Sequence, residues 1–294
     1  MKFTDINKKP IITVEIPPPK GADYQKNLDL AIALKGKADL INVTDNQRAV
    51  MRMSPLAFSK ILLDNGLEPN MQLCCRDRNR LALQSDILGA HALGIQNITL
   101  MTGDYTMAGD HKEGKPVFDF DSVHLIECAK QLENAENAVG KKLNGGTDLA
   151  IGAVSNPYYQ PMELHVLKML KKVDAGADFF QTQPVFSKEK VIEFLDLCKK
   201  EGIKQKILIG VTLLKSTKFI EFMNKNILTE PIDEALAIRI AESSDPTKES
   251  INIALEFMND IKDIVDGFHL MPIGTEEHMP ELLDRFHAAN STTS

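Results

Sequence analysis

Polar residues end several otherwise apolar runs of this 294-residue chain, and chemistry could occur at these positions. Glu15 lies in the run IITVEI, just before three consecutive prolines, and Asp104 follows Gly103 after the run NITLMT. A carboxyl group placed there can donate a proton as a general acid or stabilise positive charge on a substrate. Glu15 could instead pair with a nearby arginine, and Asp104 could cap a turn, so residue type alone leaves both interpretations open.

Amide and charged side chains end two further runs. Gln181 and Gln183 close the run DFFQTQ, and two amides at a strand end suit recognition of a planar heterocycle. Gln183 directly precedes a proline, so it could also be a simple turn residue. In the segment CRDRN at 75–79 the charges favour a rim of salt bridges, with Asn79 capping the next helix.

The cysteine and histidine patterns predict no metal site. The four cysteines lack CxxC spacing and are interpreted as small buried hydrophobic residues. His91, His124 and His165 fall within predicted helices and have no ligand-like partner four residues away. Electron transfer by this chain would therefore need an organic cofactor or a metal centre on a partner.

Eight short apolar runs, alternating with amphipathic helical segments, would position these residues. The runs lie at 11–16, 38–44, 71–75, 97–102, 148–154, 178–183, 206–213 and 268–273. Runs that are apolar throughout are typical of parallel strands buried on both faces. We therefore predict an α/β fold, a single (β/α)8 TIM barrel over residues 1–294, with its active site at the carboxyl ends of the strands. A doubly wound open sheet is the alternative, although the chain lacks GxGxxG and GxxxxGK[ST] motifs.

Composition excludes several classes of partner. The chain is 43% hydrophobic and 26% charged, and 34 basic against 41 acidic residues give a net charge of 34 − 41 = −7. This balance argues against broad binding to nucleic acid or to an acidic membrane surface. No apolar run approaches the roughly 18 residues that span a bilayer, and the first ten residues contain no apolar signal segment. We expect a cytoplasmic protein.

Several ordered segments together resemble the methylenetetrahydrofolate reductase family of flavoproteins. They are VEIPPPKG at 14–21, NVTDN at 42–46, CRDRNRLALQSDILGAHALGI at 75–95, TGDY at 102–105, FDFDS at 118–122, KKVDAGADFFQTQPVF at 171–186 and GFHLMP at 267–272. The forms CRDRN and QTQPVF look most like the branch fused to homocysteine methyltransferases and found in one-carbon pathways of anaerobes. The resemblance implies a flavin-bearing (β/α)8 barrel that acts on a tetrahydrofolate in one-carbon metabolism and methionine biosynthesis.

The resemblance also implies roles for individual residues. Glu15 matches the general acid, and Asp104 matches the aspartate near the flavin pyrimidine ring and the pterin. Gln183 matches a glutamine that contacts the folate, and Phe219 loosely matches an aromatic residue that stacks on it. The positions expected at the flavin are Thr44, Gln72, Cys75, Thr102, Gly103, Asp104, Ala153, His165, Lys168 and Lys172. Protonation of folate N10 would open a ring to a 5-iminium cation that accepts hydride from flavin N5, and such acid catalysis contributes roughly 10²–10⁴ in rate.

Four of these positions depart from the family pattern and leave the cofactor open. Gln72 replaces a frequent histidine, Thr102 replaces an arginine found in some members, and His165 and Lys168 replace acidic or amide residues. The resemblance implies FAD, and these departures make FMN the alternative. Lys168 and Lys172 lie one helical turn apart and could bind a phosphate.

Two other functions and several partners stay open at this stage. A non-flavin (β/α)8 folate methyltransferase would pass a methyl group to a corrinoid or a thiol. A catalytic subunit would take electrons from an iron–sulfur partner instead of from NADH or NADPH, and either a homo-oligomer or a hetero-oligomer is compatible with the sequence. The segment 104–120 is long for a βα loop and could form a lid.

Overall fold

Parallel strands form a closed barrel in the computed structural model, which describes residues 1–226, 228 and 230–291. The eight strands found there are β1 Ile11–Glu15, β2 Leu40–Val43, β3 Pro69–Cys74, β4 Asn97–Met101, β5 Ala150–Ser155, β6 Phe179–Pro184, β7 Lys206–Val211 and β8 Gly267–Leu270. Each strand pairs with the next, and β8 closes the barrel against β1. The predicted (β/α)8 fold is confirmed, and the open sheet is wrong. Residues 227, 229 and 292–294 of the predicted span lie outside the described residues.

Helices surround the barrel. In the described residues they are α1 Gln25–Ile32, α2 Pro55–Asp64, α3 Arg80–Ala92, α4 Ser122–Glu133, α5 Met162–Ala175, α6 Lys188–Lys200, α7 Thr217–Asn226, α8 Glu234–Glu242, α9 Pro246–Ile261 and α10 Met279–Ser291. Sequence analysis did not predict α10. Its Phe286 packs edge-on against Phe268 of β8, with ring centroids 5.6 Å apart, so α10 covers the outer face of the closing strand. No helix among the described residues is long and apolar enough to cross a membrane.

Helix α4 is shorter than the sequence pattern indicates. Asp121 caps its start by accepting hydrogen bonds from the backbone N–H groups of Val123 and His124, both at 3.0 Å. The apolar pattern continues to about residue 138, but the helix ends at Glu133. Ala135 adopts a φ of 56°, which is outside the right-handed helical region, and the chain then turns back.

Side chains fill the barrel interior in layers. The layer at the amino-terminal end is apolar, and it consists of Phe3, Ile6, Ile11, Leu40, Ala150, Phe179 and Leu208. Phe3 stacks on Phe179 with ring centroids 3.8 Å apart and closes this end of the barrel. Because side chains alternate along a strand, the next inward position lies two residues further on, towards the carboxyl ends.

That next layer is polar, and we refer to it as the polar layer. Its members are Thr13, Asn42, Asn70, Thr99, Gln181 and His269, all of which are buried. Gln181 Nε2 donates to Thr13 Oγ1 at 3.0 Å, while Asn42 Nδ2 donates to Gln181 Oε1 at 2.8 Å. β6 is not adjacent to β1 or β2, so these bonds cross the barrel interior. They satisfy groups that would be costly to bury unpaired.

Candidate active site at the barrel mouth

Glu15 lies above the polar layer, at the carboxyl end of β1, and is 5% exposed. Gln72 Nε2 donates to Glu15 Oε1 at 3.0 Å, and Gln47 Nε2 donates to Oε2 at 3.2 Å. His269 Nε2 lies 3.4 Å from Oε1. Glu15 therefore has no ion pair with an arginine among the described residues, contrary to the alternative considered from sequence. Two amides and an imidazole hold a carboxyl group at the barrel mouth, which we define as the strand carboxyl ends with their following loops.

Gln47 reaches Glu15 from a strained loop after β2. Asn46, Arg48 and Ala49 have φ values of 44°, 56° and 56°. Non-glycine residues adopt this region at a cost of about 1 kcal/mol or more each, and such strain clusters at functional sites. Gly109 of the next long loop packs against this segment, where a Cβ would lie 1.8 Å from the carbonyl oxygen of Ala49. Only glycine permits that approach.

The CRDRN segment forms the predicted salt-bridged rim. Arg78 pairs with Asp45 at 2.7 Å, and Arg76 pairs with Asp77 at 2.6 Å. Asn79 Oδ1 accepts hydrogen bonds from the first turn of α3, as expected for a helix cap. The structural interpretation of this segment is confirmed, and its charges position the loops around the mouth.

Asp104 stands at the mouth on the loop after β4, and its side chain is exposed. Gly103 directly before it has a φ of +92°, and a Cβ there would lie 3.0 Å from Cβ of Cys74. Glycine is therefore required for the turn that follows β4. The loop at 104–120 is fastened at its far end, because Phe118 N donates to the carbonyl oxygen of Cys75 at 3.2 Å.

Gln183 is half-buried at the mouth, whereas Gln181 belongs to the polar layer. The expectation that both amides face a ligand is therefore wrong for Gln181, which is occupied by Thr13 and Asn42. A register shift in the pairing of β6 with β7 lies between Gln181 and Pro184. Bulges of this kind re-aim a side chain at the end of a strand.

Phe219, the other position expected at the folate, lies in α7 and is 8% exposed. The ring centroid of Phe219 lies 6.4 Å from that of Phe222 and 5.1 Å from Nζ of Lys215. Arg48 of the strained loop stacks on the neighbouring Phe222 at 4.7 Å. These contacts connect α7 to the loop that carries Gln47.

Besides Gly103 and Asp104, the positions expected at the flavin divide into three groups. Thr44 and Gln72 are buried at the mouth, and Thr44 Oγ1 has no hydrogen-bond partner among the described residues. Thr212, which follows β7 and was not assigned from sequence, also has a buried Oγ1 without a partner there. Unpaired buried hydroxyl groups are rare, and they are compatible with a ligand that would pair with them.

Three other expected positions place their side chains away from the mouth. Cys75 and Ala153 lie in the hydrophobic core outside the barrel, where burial raises the pKa of the Cys75 thiol to about 12. Thr102 Oγ1 accepts a hydrogen bond from Ser122 N at 3.1 Å and thereby supports the start of α4. A ligand at the mouth would therefore meet these residues through their backbone.

Helix α5 presents the remaining expected positions. Lys172 is 4% exposed and donates from Nζ to the carbonyl oxygen of Val154 at 2.6 Å. Burial, reinforced by the charge of Lys168, lowers the pKa of Lys172 to about 8. Burial also lowers the pKa of His165 to about 4, and its Nε2 accepts a hydrogen bond from Asn156 N at 2.8 Å. Lys168 is exposed, so Lys172 alone offers a buried cation beside β5.

Within the part of the chain that the structure describes, one group of possible metal ligands occurs, and it lies at the rim. Carboxylate and thiol atoms of Asp45, Cys74 and Asp77 lie within 4.8 Å of one another. Arg78 and Arg76 already pair with the two carboxylates, and burial raises the pKa of Cys74 well above its usual range. This arrangement is better explained as an ion-pair network than as a metal centre.

Sequence analysis did not identify Gln47 or His269 as neighbours of Glu15. The sequence does contain a signal for the polar layer. Several of its members lie two residues before the polar positions near the mouth, as Thr13 does before Glu15 and Asn70 before Gln72. Polar residues at such alternate positions of a buried strand indicate an inward-facing network.

Comparison with known proteins identifies relatives along nearly the whole chain. Residues 2–287 match the family model described as Methylenetetrahydrofolate reductase. The 5,10-methylenetetrahydrofolate reductase of Pectobacterium carotovorum is 25% identical over 217 residues, which are 71% of this chain and 66% of that protein. The corresponding Salmonella typhimurium protein is 23% identical over 280 residues, 90% of this chain and 87% of that one. The chain thus spans about two thirds of the first relative and most of the second.

A solved structure has a similar fold. An uncharacterized protein from Clostridium thermocellum that binds two copies of 5-methyl-5,6,7,8-tetrahydrofolic acid superimposes with a TM-score of 0.69. The alignment covers 98% of this chain and 97% of that chain at 16% sequence identity. At this identity the similarity establishes a shared fold.

Proposed function

Because this chain belongs to the methylenetetrahydrofolate reductase family of oxidoreductases, we propose that it is a flavin-dependent enzyme that reduces 5,10-methylenetetrahydrofolate to 5-methyltetrahydrofolate. The environment of Glu15 carries the proposal. Its carboxyl group is buried at the mouth, and two amides and an imidazole hold it. Such a group can give up a proton without first breaking an ion pair to arginine or lysine.

In the proposed reaction Glu15 donates its proton to N10 of the folate. Opening of the five-membered ring then leaves a cationic imine at N5, and the carboxylate of Asp104, on the loop after β4, would stabilise this charge. The reduced flavin, when bound, supplies the hydride that converts the imine to the methyl group. Gln183 and Phe219 would bind the pterin through amide hydrogen bonds and ring stacking.

The residues around the mouth are compatible with a flavin. The unpaired Oγ1 atoms of Thr44 and Thr212 would gain hydrogen-bond partners, and the buried ammonium of Lys172 suits a phosphate group. A single buried lysine suits the phosphate of FMN or of FAD equally well. We propose FAD as the cofactor, with FMN as the alternative that extraction of the bound flavin would distinguish.

The Glu15→Gln variant tests this function. The visible spectrum is recorded under anaerobic conditions, before and after addition of NADH and then of methylenetetrahydrofolate. We expect the wild-type flavin band to bleach with NADH and to return with the folate. Glu15→Gln should bind flavin and bleach, but the band should return at least about 100-fold more slowly, because the proton donor is lost. Normal return of the band would refute the acid role of Glu15.

The exposed Glu201 provides a matched control, since Glu201→Gln should behave as the wild type does. The same spectra identify the electron donor. A flavin band that NADH and NADPH leave unchanged but a reduced iron–sulfur protein bleaches would assign a partner subunit as the donor. Absence of any flavin band after reconstitution with FAD or FMN would favour a non-flavin folate methyltransferase.

A further inference from the structure

We propose that His269 is a positioning residue for Glu15, with its proton fixed on Nε2 by Thr13 and Gln181. In this role the imidazole Nε2–H faces Glu15 Oε1 across 3.4 Å and stabilises, through its positive end, the carboxylate that remains after Glu15 has given its proton away. The inference rests on the proposed function of Glu15 as a proton donor, and it assigns a role to a residue on β8 that sequence analysis did not identify.

The geometry connects the carboxyl group to the polar layer through the imidazole ring. His269 is 3% exposed, with Nε2 lying 3.4 Å from Glu15 Oε1 and Nδ1 lying 3.0 Å from Thr13 Oγ1. Glu15 and Thr13 are two residues apart on β1, and His269 pairs with Thr13 across the β1–β8 seam. One ring therefore contacts two inward positions of the neighbouring strand.

The hydrogen bonds of the polar layer determine which ring nitrogen carries the proton. Gln181 Nε2 donates to Thr13 Oγ1, and Gln181 Oε1 accepts from Asn42 Nδ2, which assigns the orientation of this amide. Thr13 then has its own hydroxyl proton to donate, and His269 Nδ1 is the acceptor found beside it. A buried hydroxyl proton without an acceptor costs about 1–3 kcal/mol, so this arrangement favours Nδ1 as the acceptor and Nε2 as the protonated nitrogen.

The Nε2–H group thus faces Glu15 in a fixed direction. Oε1 accepts from Gln72 Nε2 at 3.0 Å and also faces the imidazole at 3.4 Å, whereas Oε2 accepts one longer bond of 3.2 Å from Gln47, so Oε2 has the greater freedom to carry the transferable proton. When that proton moves to N10, the carboxylate is left with donors already in place. One proton from solvent restores the carboxyl group, and His269 neither gains nor loses a proton in the cycle.

The surroundings of His269 contain few other charges. Glu15 on β1 is the acidic group that pairs with the ring among the described residues, at 3.4 Å. On the other neighbouring strand, β7, the inward positions are Leu208 and Gly210, followed by Thr212, and all three are uncharged. The apolar layer of Phe3, Ile11 and Phe179 closes the barrel on the amino-terminal side. The effect of His269 is therefore directed at Glu15.

A measurement on the flavin-free chain tests the tautomer without relying on catalysis. The two imidazole nitrogens of His269 are observed by long-range ¹H–¹⁵N NMR near pH 7, and their signals are assigned by their loss in His269→Gln. We expect a neutral ring with the proton on Nε2. Thr13→Val should produce a mixture of tautomers, and Thr13→Ser should restore the wild-type pattern. A proton resident on Nδ1 in the wild type would overturn the proposal, whatever the activity of the enzyme.

The pH profile of the folate step tests the consequence. His269→Phe removes the N–H group that faces Oε1 beside the Gln72 donor, so the carboxylate becomes less stable and the acid form persists to higher pH. The pH at which the folate step falls to half its maximum should rise by about one unit, and its maximal rate should fall about 10-fold. His269→Gln, whose Nε2–H can reach Oε1, should preserve the profile. An unchanged pH profile in His269→Phe would refute the role. If that variant does not fold, the NMR measurement of the His269 tautomer decides whether the proposal holds.

Discussion

Arg76 donates a hydrogen bond from Nη1 to the backbone carbonyl oxygen of Asp104 at 3.3 Å. A residue that follows β3 thereby fixes the loop that follows β4 and carries the second proposed catalytic carboxylate. The same guanidinium donates from Nη2 to the carbonyl oxygen of Asn46 at 3.2 Å, next to the strained segment with Gln47. Arg76 is only 2% exposed, and the carboxylate of Asp77 balances its buried charge. One buried arginine thus joins three loops of the barrel mouth.

Replacement of Arg76 by alanine should destabilise the fold and displace Asp104. Two carbonyl oxygens lose the Arg76 donor, and the Asp77 carboxylate keeps the hydrogen bond from Asn46 Nδ2 but loses its ion pair with Arg76; loss of one partner of a largely buried ion pair is costly. Because Asp77 is partly exposed, we expect the free energy of unfolding to fall by about 2–4 kcal/mol, measured by urea denaturation.

Arg80, the first residue of α3, provides the control for Arg76. Its side chain is 45% exposed and pairs with Asp119 at 2.7 Å. Exposed pairs contribute little, so Arg80→Ala should lower the free energy of unfolding far less than Arg76→Ala does. Equal costs for the two substitutions would contradict the assignment of Arg76 as the residue that joins the loops.

Replacement of Lys172 by methionine should stabilise the flavin-free chain and weaken flavin binding. Burial lowers the pKa of Lys172 to about 8, so the folded state disfavours its charged form at pH 7. Methionine removes that cost, and the free energy of unfolding should rise by about 1–2 kcal/mol. Loss of the ammonium group should raise the Kd for FMN or FAD by at least about 10-fold.

Lys171 is the adjacent exposed lysine on α5, and Lys171→Met should change neither quantity. Flavin titrations between pH 7 and 9.5 extend the test, because a phosphate contact should weaken as pH rises through the pKa of Lys172. Flavin affinity that is equal in Lys172→Met and in the wild type would exclude the proposed phosphate contact.

His165 should make the fold less stable in mild acid. Its pKa falls from 6.5 to about 4 in the folded chain, so between these values the unfolded state binds more protons. Stability therefore decreases as pH falls from about 6.5 to about 4 and has no further dependence on His165 below that range. Allowing for partial exposure, the contribution is about 1–2 kcal/mol.

His165→Gln, whose amide oxygen can still accept from Asn156 N, should flatten this part of the stability profile in urea denaturation at a series of pH values. The exposed His111 offers a matched substitution, and His111→Gln should keep the wild-type slope. A slope between pH 4 and 6.5 that survives in His165→Gln would assign the acid sensitivity to another group.

Gly210 on β7 should tolerate no side chain. A Cβ there would lie 2.5 Å from the carbonyl oxygen of Thr182 and 2.6 Å from the carbonyl carbon of Gln183. Since these are backbone atoms, Gly210→Ala should shift the bulge that presents Gln183, at a cost of about 1–3 kcal/mol. We expect weaker binding of the folate, measured by calorimetry with 5-methyltetrahydrofolate.

Gly89 within α3 gives the opposite expectation. A Cβ at Gly89 would meet Leu56 at an ordinary contact distance of 3.7 Å. Alanine is favoured over glycine in a helix, so Gly89→Ala should stabilise the chain by about 0.5–1 kcal/mol and leave folate binding unchanged. Similar losses of folate affinity in both variants would argue against a specific role for the bulge.

Much of the fold could be predicted from the chain itself. Eight apolar runs without alternation indicate parallel strands covered on both faces, and residues such as Glu15 and Gln183 stand where those runs end. Carboxyl ends of parallel strands meet on one side of a barrel, so residues more than 160 positions apart could be assigned to one mouth. The length of α4 and the presence of α10 were not predicted, because they depend on a backbone turn at Ala135 and on packing against β8.

The sequence by itself determined which residues end the strands and the family to which they point. Only the tertiary structure decided which side chains meet, because barrel closure and strand stagger fix the contacts across the interior. His269 contacts Thr13, 256 residues away, and Gln181 faces the polar layer while Gln183 faces the mouth. Alternation predicts that neighbours such as Cys74 and Cys75 point to opposite faces, but the register with adjacent strands decides which of them faces the barrel.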